Sequence, residues 1–150
     1  MRHTILRAVV GTAIGMGISM FLGFVKSAVA QKIYPSGGFI PLVPSGLTAA
    51  IMIAILLGIF GGFIGLIVGA LGLRPFQGAA VGVIVVILRW REVFDRIRSI
   101  AAKIQYGQQS GHFNSAWILS EILAVSMVFD FVLVGALVSI LLRRVFALSR

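Results

Sequence analysis

Four apolar blocks, separated by short polar or proline-containing connections, set the pattern of this chain: Ala8 to Ala30, Leu47 to Leu73, Phe76 to Leu88 and Ala116 to Leu142. A helix of about 20 apolar residues is long enough to cross the hydrocarbon core of a bilayer. The predicted spans are therefore 8–30, 47–73, 75–94 and 116–142, in a single membrane domain covering 1–150. The second block is uncharged throughout and is the most secure span. The third is short, about 20 Å of helix against a core of about 30 Å. It crosses only by borrowing Arg89 to Phe94, with Arg89 and Arg91 reaching out to the interface and Trp90 at headgroup level. The alternative is that it re-enters and returns to the same face, which requires surrounding protein to satisfy its backbone.

Beyond Leu88 the period changes. Trp90, Val93, Phe94, Ile97, Ile100, Ala101 and Ile104 fall on one helical face, while Arg91, Asp95, Arg98 and Lys103 fall elsewhere. This predicts an amphipathic helix over 90–106, lying on a membrane surface, against partner subunits, or with its apolar face on the protein's own loops. Glu92 and Arg96 are spaced to pair on its surface. The connections carry their own signals. Residues 31–46 hold three of the four prolines and read as a loop at the interface, with Ser45 as a cap for the second span. Arg74-Pro75 is a tight connection with Pro75 in the next first turn, and Asn114 or Ser115 can cap the last span. The opening, with Arg2 and Arg7 before an apolar run and Ala28-Val29-Ala30, imitates a secretory signal. Lys26 interrupts that run, so the segment is read as a retained span with Lys26 snorkelling to the far interface.

Composition agrees with the pattern. The chain is 59% hydrophobic and 11% charged, with a mean hydropathy of +1.09, which excludes an ordinary soluble domain. The fold class expected is an all-α integral membrane protein: a four-helix transmembrane bundle, its third span short enough to re-enter, with one amphipathic interfacial helix. A formal charge of +9 raises nucleic acid as a partner, but the basic residues flank apolar blocks and no basic stripe with interleaved aromatics exists. Trp90, Arg89, Arg91, Arg96, Arg98 and Lys103 are instead expected at the lipid interface, facing anionic headgroups. Orientation is not encoded by charge. With four spans, Arg2, Arg7, Arg74, Arg143, Arg144 and Arg150 face Lys32, Arg89, Arg91, Arg96, Arg98 and Lys103, with no positive-inside bias. That balance permits insertion in both directions.

Small residues recur at four-residue spacing: Gly11, Gly15, Ser19 and Gly23 on the first span, Gly61, Gly65 and Gly69 with Gly58 and Gly62 on the second, and Gly78 and Gly82 on the third. Such spacing lets helix backbones approach closely, either within the chain or along a seam between copies. The last span carries Glu121 and Asp130, two and a half turns apart and so on opposite faces. Asp130 lies mid-block, where a carboxylate costs roughly 2.5–3.5 kcal/mol on insertion scales. Ser126, one turn earlier, can donate a hydrogen bond to it. Unless the bundle brings a base inward, a neutral, hydrogen-bonded Asp130 is the cheaper state. Asp130, Ser126 and Glu121 are thus the candidate proton or ion residues.

Other chemistry has little support. Cysteine is absent, the two histidines, His3 and His112, are far apart, and no phosphate loop, catalytic triad or His-Glu-x-x-His motif occurs. No enzyme activity, metal or cofactor is expected. Two functions remain: a non-enzymatic membrane subunit supporting assembly or stability of a homo- or hetero-oligomeric complex, or a small homo-oligomeric proton or cation channel or transporter with Asp130 on its path.

Overall fold

The computed structural model describes residues 2–33, 47–110 and 115–147, and among these every regular element is a helix. The elements are α1 (Arg2–Ile33), α2 (Leu47–Leu71), α3 (Pro75–Leu88), α4 (Trp90–Ser110) and α5 (Ser115–Ala147). Three of them, α1, α2 and α5, are long and apolar enough to cross a membrane, and α3 is a shorter apolar helix. Most of the loop expected over 31–46, its cap at Ser45, and His112 and Asn114 lie outside the described residues.

Local chemistry explains where the inner helices stop. α2 ends two residues before the expected Leu73 because Gly72 adopts φ 61°. The Leu73 N–H then donates to the Val68 carbonyl and the Gly72 N–H to the Gly69 carbonyl, the paired bonds of a Schellman cap. α3 starts on Pro75, whose missing N–H has no helical acceptor to lose, and the Gln77 side chain accepts from the Arg74 N–H at 2.9 Å. The helix expected to continue from 75 to 94 is interrupted at Arg89, which has φ −99° and ψ 11°. There the Arg89 N–H is shared between the carbonyls of Val85 and Val86, and α4 resumes with Val93 N–H donating to the Arg89 carbonyl.

The packing is antiparallel in two pairs. α1 lies against α2, with Gly11 facing Gly65 and Gly15 facing Gly61, and α3 lies against α5, with Gly78 facing Gly135 and Gly82 facing Phe131. The core joins the pairs through Leu57, Ile64 and Val68 of α2 and Phe131, Val134 and Val138 of α5. α1 also runs antiparallel to α5: the Arg7 guanidinium lies 5.2 Å from the Phe146 ring, while Lys26 meets Asp130. The start of α1, the end of α2, the start of α3 and the end of α5 therefore share one end of the bundle. There the Ser139 hydroxyl donates to the Leu73 carbonyl. A smaller apolar cluster of Val86, Val93 and Val128 holds the α3–α4 junction on α5.

Candidate functional site

Asp130 has a base beside it. The Lys26 ammonium donates to Asp130 Oδ1 at 2.8 Å and to the Ser126 hydroxyl at 2.9 Å. Helix geometry explains the encounter. Side chains lean toward the N-terminus of their own helix, so on antiparallel helices Lys26 of α1 leans down and Asp130 of α5 leans up, each toward the other. The expected snorkelling of Lys26 to the far interface is thus corrected: it turns inward to the carboxylate. The condition attached to a neutral Asp130, that no base lies at its depth, is not met. The Ser126 reading also changes. Its hydroxyl donates to the Leu123 carbonyl at 2.7 Å and accepts from Lys26, with no bond to Asp130 itself.

The pair lies at the rim of the α1–α5 seam, with 24% of the Lys26 side chain and 18% of the Asp130 side chain exposed. Behind it a cavity of about 10 Å³ touches Ser19, Met127, Asp130 and Phe131. That is about the space one water requires. The hydroxyls of Ser19 and Ser27 are buried without a hydrogen-bond partner, so both serve as small residues in the α1 interface.

A second polar cluster ties α4 to α5. Glu121 accepts from Arg96 Nη1 at 3.1 Å and from Lys103 Nζ at 2.7 Å. Glu92 accepts from Arg89 Nε at 2.9 Å and from the same guanidinium through Nη2, and lies 3.7 Å from Arg96 Nε. Arg89 also stacks over Phe60 and Phe131, at 5.1 and 6.0 Å from the ring centroids. Its remaining nitrogen, Nη1, is buried with no acceptor. Three residues expected at the lipid interface, Arg89, Arg96 and Lys103, thus face inward. They recur on one stripe of α4 and its junction, and Glu121 attracts that stripe toward α5. Arg91, Arg98 and Trp90 do remain exposed. The apolar face of α4 divides accordingly: Val93 is fully buried, whereas Trp90, Phe94 and Ile97 point outward. Glu121 and Asp130 serve separate sites, as their spacing implies.

The small residues sit at backbone contacts within the chain. A Cβ on Gly11, Gly15, Gly61, Gly65 or Gly69 would lie within 2.4 Å of a backbone oxygen on the facing helix. Gly23 faces Leu57, Gly58 faces Met20, and Gly62 makes only ordinary contacts with Thr12 and Met16. Gly78 and Gly82 meet α5 with equal closeness. Sequence reasoning missed Gly135, a lone glycine without a spaced companion, and Lys26 as a partner for Asp130. Among the described residues no three His, Asp or Glu side chains converge as metal ligands would. Compared with protein-family models, curated proteins and solved structures, the chain matches none.

Proposed function

We propose that this chain is a multi-pass integral membrane protein with four crossings, acting as a non-enzymatic subunit that supports assembly or stability of a membrane complex. The direction of α5 supports the fourth crossing. α2 ends, and α5 also ends, at the pole marked by Arg7 and Phe146, so the chain must travel the length of the bundle between Gly72 and Ser115. α3 and α4 make that journey, the short apolar α3 first and the charge-lined α4 after it. One charged stripe of α4, Arg96 and Lys103, turns toward Glu121, while Trp90, Phe94 and Ile97 are exposed beside Arg91, Asp95 and Arg98, an amphipathic outer face.

The observation that carries the functional reading is the Lys26–Asp130 pair. The pair joins α1 to α5 with both partners from the same chain, as a packing element does. The roughly 10 Å³ of space behind it favours the same reading, since a conducting path needs polar groups or water at successive depths. A partner would then meet the outward side of α4, where Trp90, Phe94 and Ile97 are exposed.

The test combines flux and assembly. In proteoliposomes the wild-type protein is expected to conduct no protons or cations above empty vesicles, and in mild detergent to migrate as a species larger than a single 16.0 kDa chain with its micelle. A monomer whose proton flux disappears in Asp130→Asn would replace this reading with the channel.

A further inference from the structure

The end of the bundle where α1 and α3 begin and α2 and α5 end carries positive charge without compensation. Arg7, Arg74, Arg143 and Arg144 lie there, whereas the four acids of the chain lie elsewhere. Glu92 and Asp95 are beyond the far end of α3, and Glu121 is near the start of α5. Asp130 is about 14 Å along α5 from Ser139 and is paired with Lys26. Two helices start and two end at this pole, so their dipoles largely cancel and the arginines set the local potential.

Between Arg7 of α1 and Arg143 of α5 is a cavity of about 160 Å³. Val68 and Leu142 form part of its wall, and Gly69 and Gly72 of the α2 terminus bring no side chain into the space. The Arg7 guanidinium rests 5.2 Å from the centroid of the Phe146 ring, with Nη1 3.4 Å from where a Cβ on Gly72 would stand. The helix-end carbonyls that an arginine can satisfy at such a place are already taken. Val68 accepts from the Leu73 N–H, Gly69 from the Gly72 N–H, and Leu73 from the Ser139 hydroxyl. Among the described residues neither the Arg7 nor the Arg143 guanidinium has a carboxylate or hydrogen-bond partner. Each therefore offers its full set of donors to a ligand.

We propose that this cavity binds a phosphate group, free or as the head of a lipid. The lining holds two cations and no anion, which selects a negatively charged ligand. The arrangement of donors selects phosphate over carboxylate. One guanidinium fork saturates the single edge of a carboxylate, whereas a phosphate presents oxygens to forks arriving from two helices. Bound there, it ties the start of α1 to the end of α5, as Lys26 and Asp130 tie them further along. The proposal does not rest on the subunit reading above.

Thermal unfolding of the purified protein in a neutral detergent tests the site, with inorganic phosphate replacing chloride at constant ionic strength. The midpoint should rise and saturate. Arg143→Gln, at an exposed position, should fold and need about tenfold more phosphate for half the rise, the value of one charge-assisted hydrogen bond. Arg144→Gln removes the same charge from the same pole but not from the cavity lining, and should respond as the wild type does. Equal weakening in the two variants overturns the site in favour of a diffuse field, and an unchanged phosphate requirement in Arg143→Gln overturns it outright. Acetate as effective as phosphate overturns the choice of ligand. Native mass spectrometry with phosphatidic acid and the diacylglycerol of the same chains identifies the source. Selective retention of phosphatidic acid, lost in Arg143→Gln, assigns a lipid head; a saturable phosphate response without that selectivity assigns free phosphate. Absence of both responses overturns the proposal.

Discussion

At the scale of residues, a carboxylate in an apolar span is tolerated when its partner arrives from another helix at the right depth. Lys26 does this for Asp130 from 104 positions away. Removing the base should therefore be costly in a particular way. Lys26→Met leaves Asp130 unpaired and is expected to destabilise the bundle by about 3 kcal/mol. Lys26→Met combined with Asp130→Leu removes both charges and should recover most of that loss, since an apolar pair of similar volume is often no worse than the ion pair it replaces. Unfolding in detergent, by heat or by titration with sodium dodecyl sulfate, measures both; equal loss in the single and double variants would show that the pairing does not matter. Half of this site was legible in the sequence. The cost of Asp130 follows from its position in one block. Lys26 reads as an interfacial residue on its own span, because depth along a helix says nothing about which way a long side chain leans until the neighbour's direction is known. The same blindness applies to Arg89, Arg96 and Lys103: periodicity places them on a stripe, but only Glu121 on α5 determines where that stripe points.

The helices pair according to their small residues, and here the sequence was more transparent. Four-residue spacing of glycine marked α1, α2 and α3 as closely approaching helices, and the facing backbones are those of α2, α1 and α5. What spacing left open was whether the facing helix belongs to the same chain, since a seam within a bundle and a seam between copies use the same packing. One consequence concerns Gly65. A Cβ there would stand 1.9 Å from the Gly11 carbonyl oxygen, so a larger residue must push α1 and α2 apart. Gly65→Ala is expected to destabilise the protein by about 1–3 kcal/mol, as overpacking does elsewhere. Gly17 provides the contrast on α1, because nothing lies within 4 Å of the Cβ it would carry. Gly17→Ala should be neutral or stabilising by up to about 1 kcal/mol, the helix-propensity difference. Thermal unfolding of the two variants side by side checks this, and equal behaviour would mean that the α1–α2 contact does not have the closeness assigned to it. α3 was the least legible element. Its pattern asked for a helix to Phe94, and the break at Arg89 comes without proline or glycine, from an arginine drawn over Phe60 and Phe131. That is a tertiary cause no local signal carries.

For the molecule as a whole the open issue is how the bundle sits across a bilayer, and the balanced charge of its two ends gives translocation little to act on. The packing constrains the answer more than the charges do. Because α1 is antiparallel to both α2 and α5, Arg74 belongs to the pole of Arg7 and Phe146, and the far end of α4 belongs to the opposite pole. The chain contains no cysteine, so single introduced thiols report cleanly. Arg74→Cys and Gln108→Cys replace exposed residues near the two poles. In sealed vesicles of one orientation, a membrane-impermeant maleimide should label one of the two, and the other only after permeabilisation. Labelling of both from the same side would mean that α3 and α4 return to the face they left, and the path inferred from the direction of α5 would fail. Partial labelling of each, completed for both by permeabilisation, would mean that the protein inserts in both directions. That result is compatible with the four crossings proposed above while removing a fixed orientation, because a bundle held together by its own ion pairs and glycine contacts folds identically whichever way its poles face.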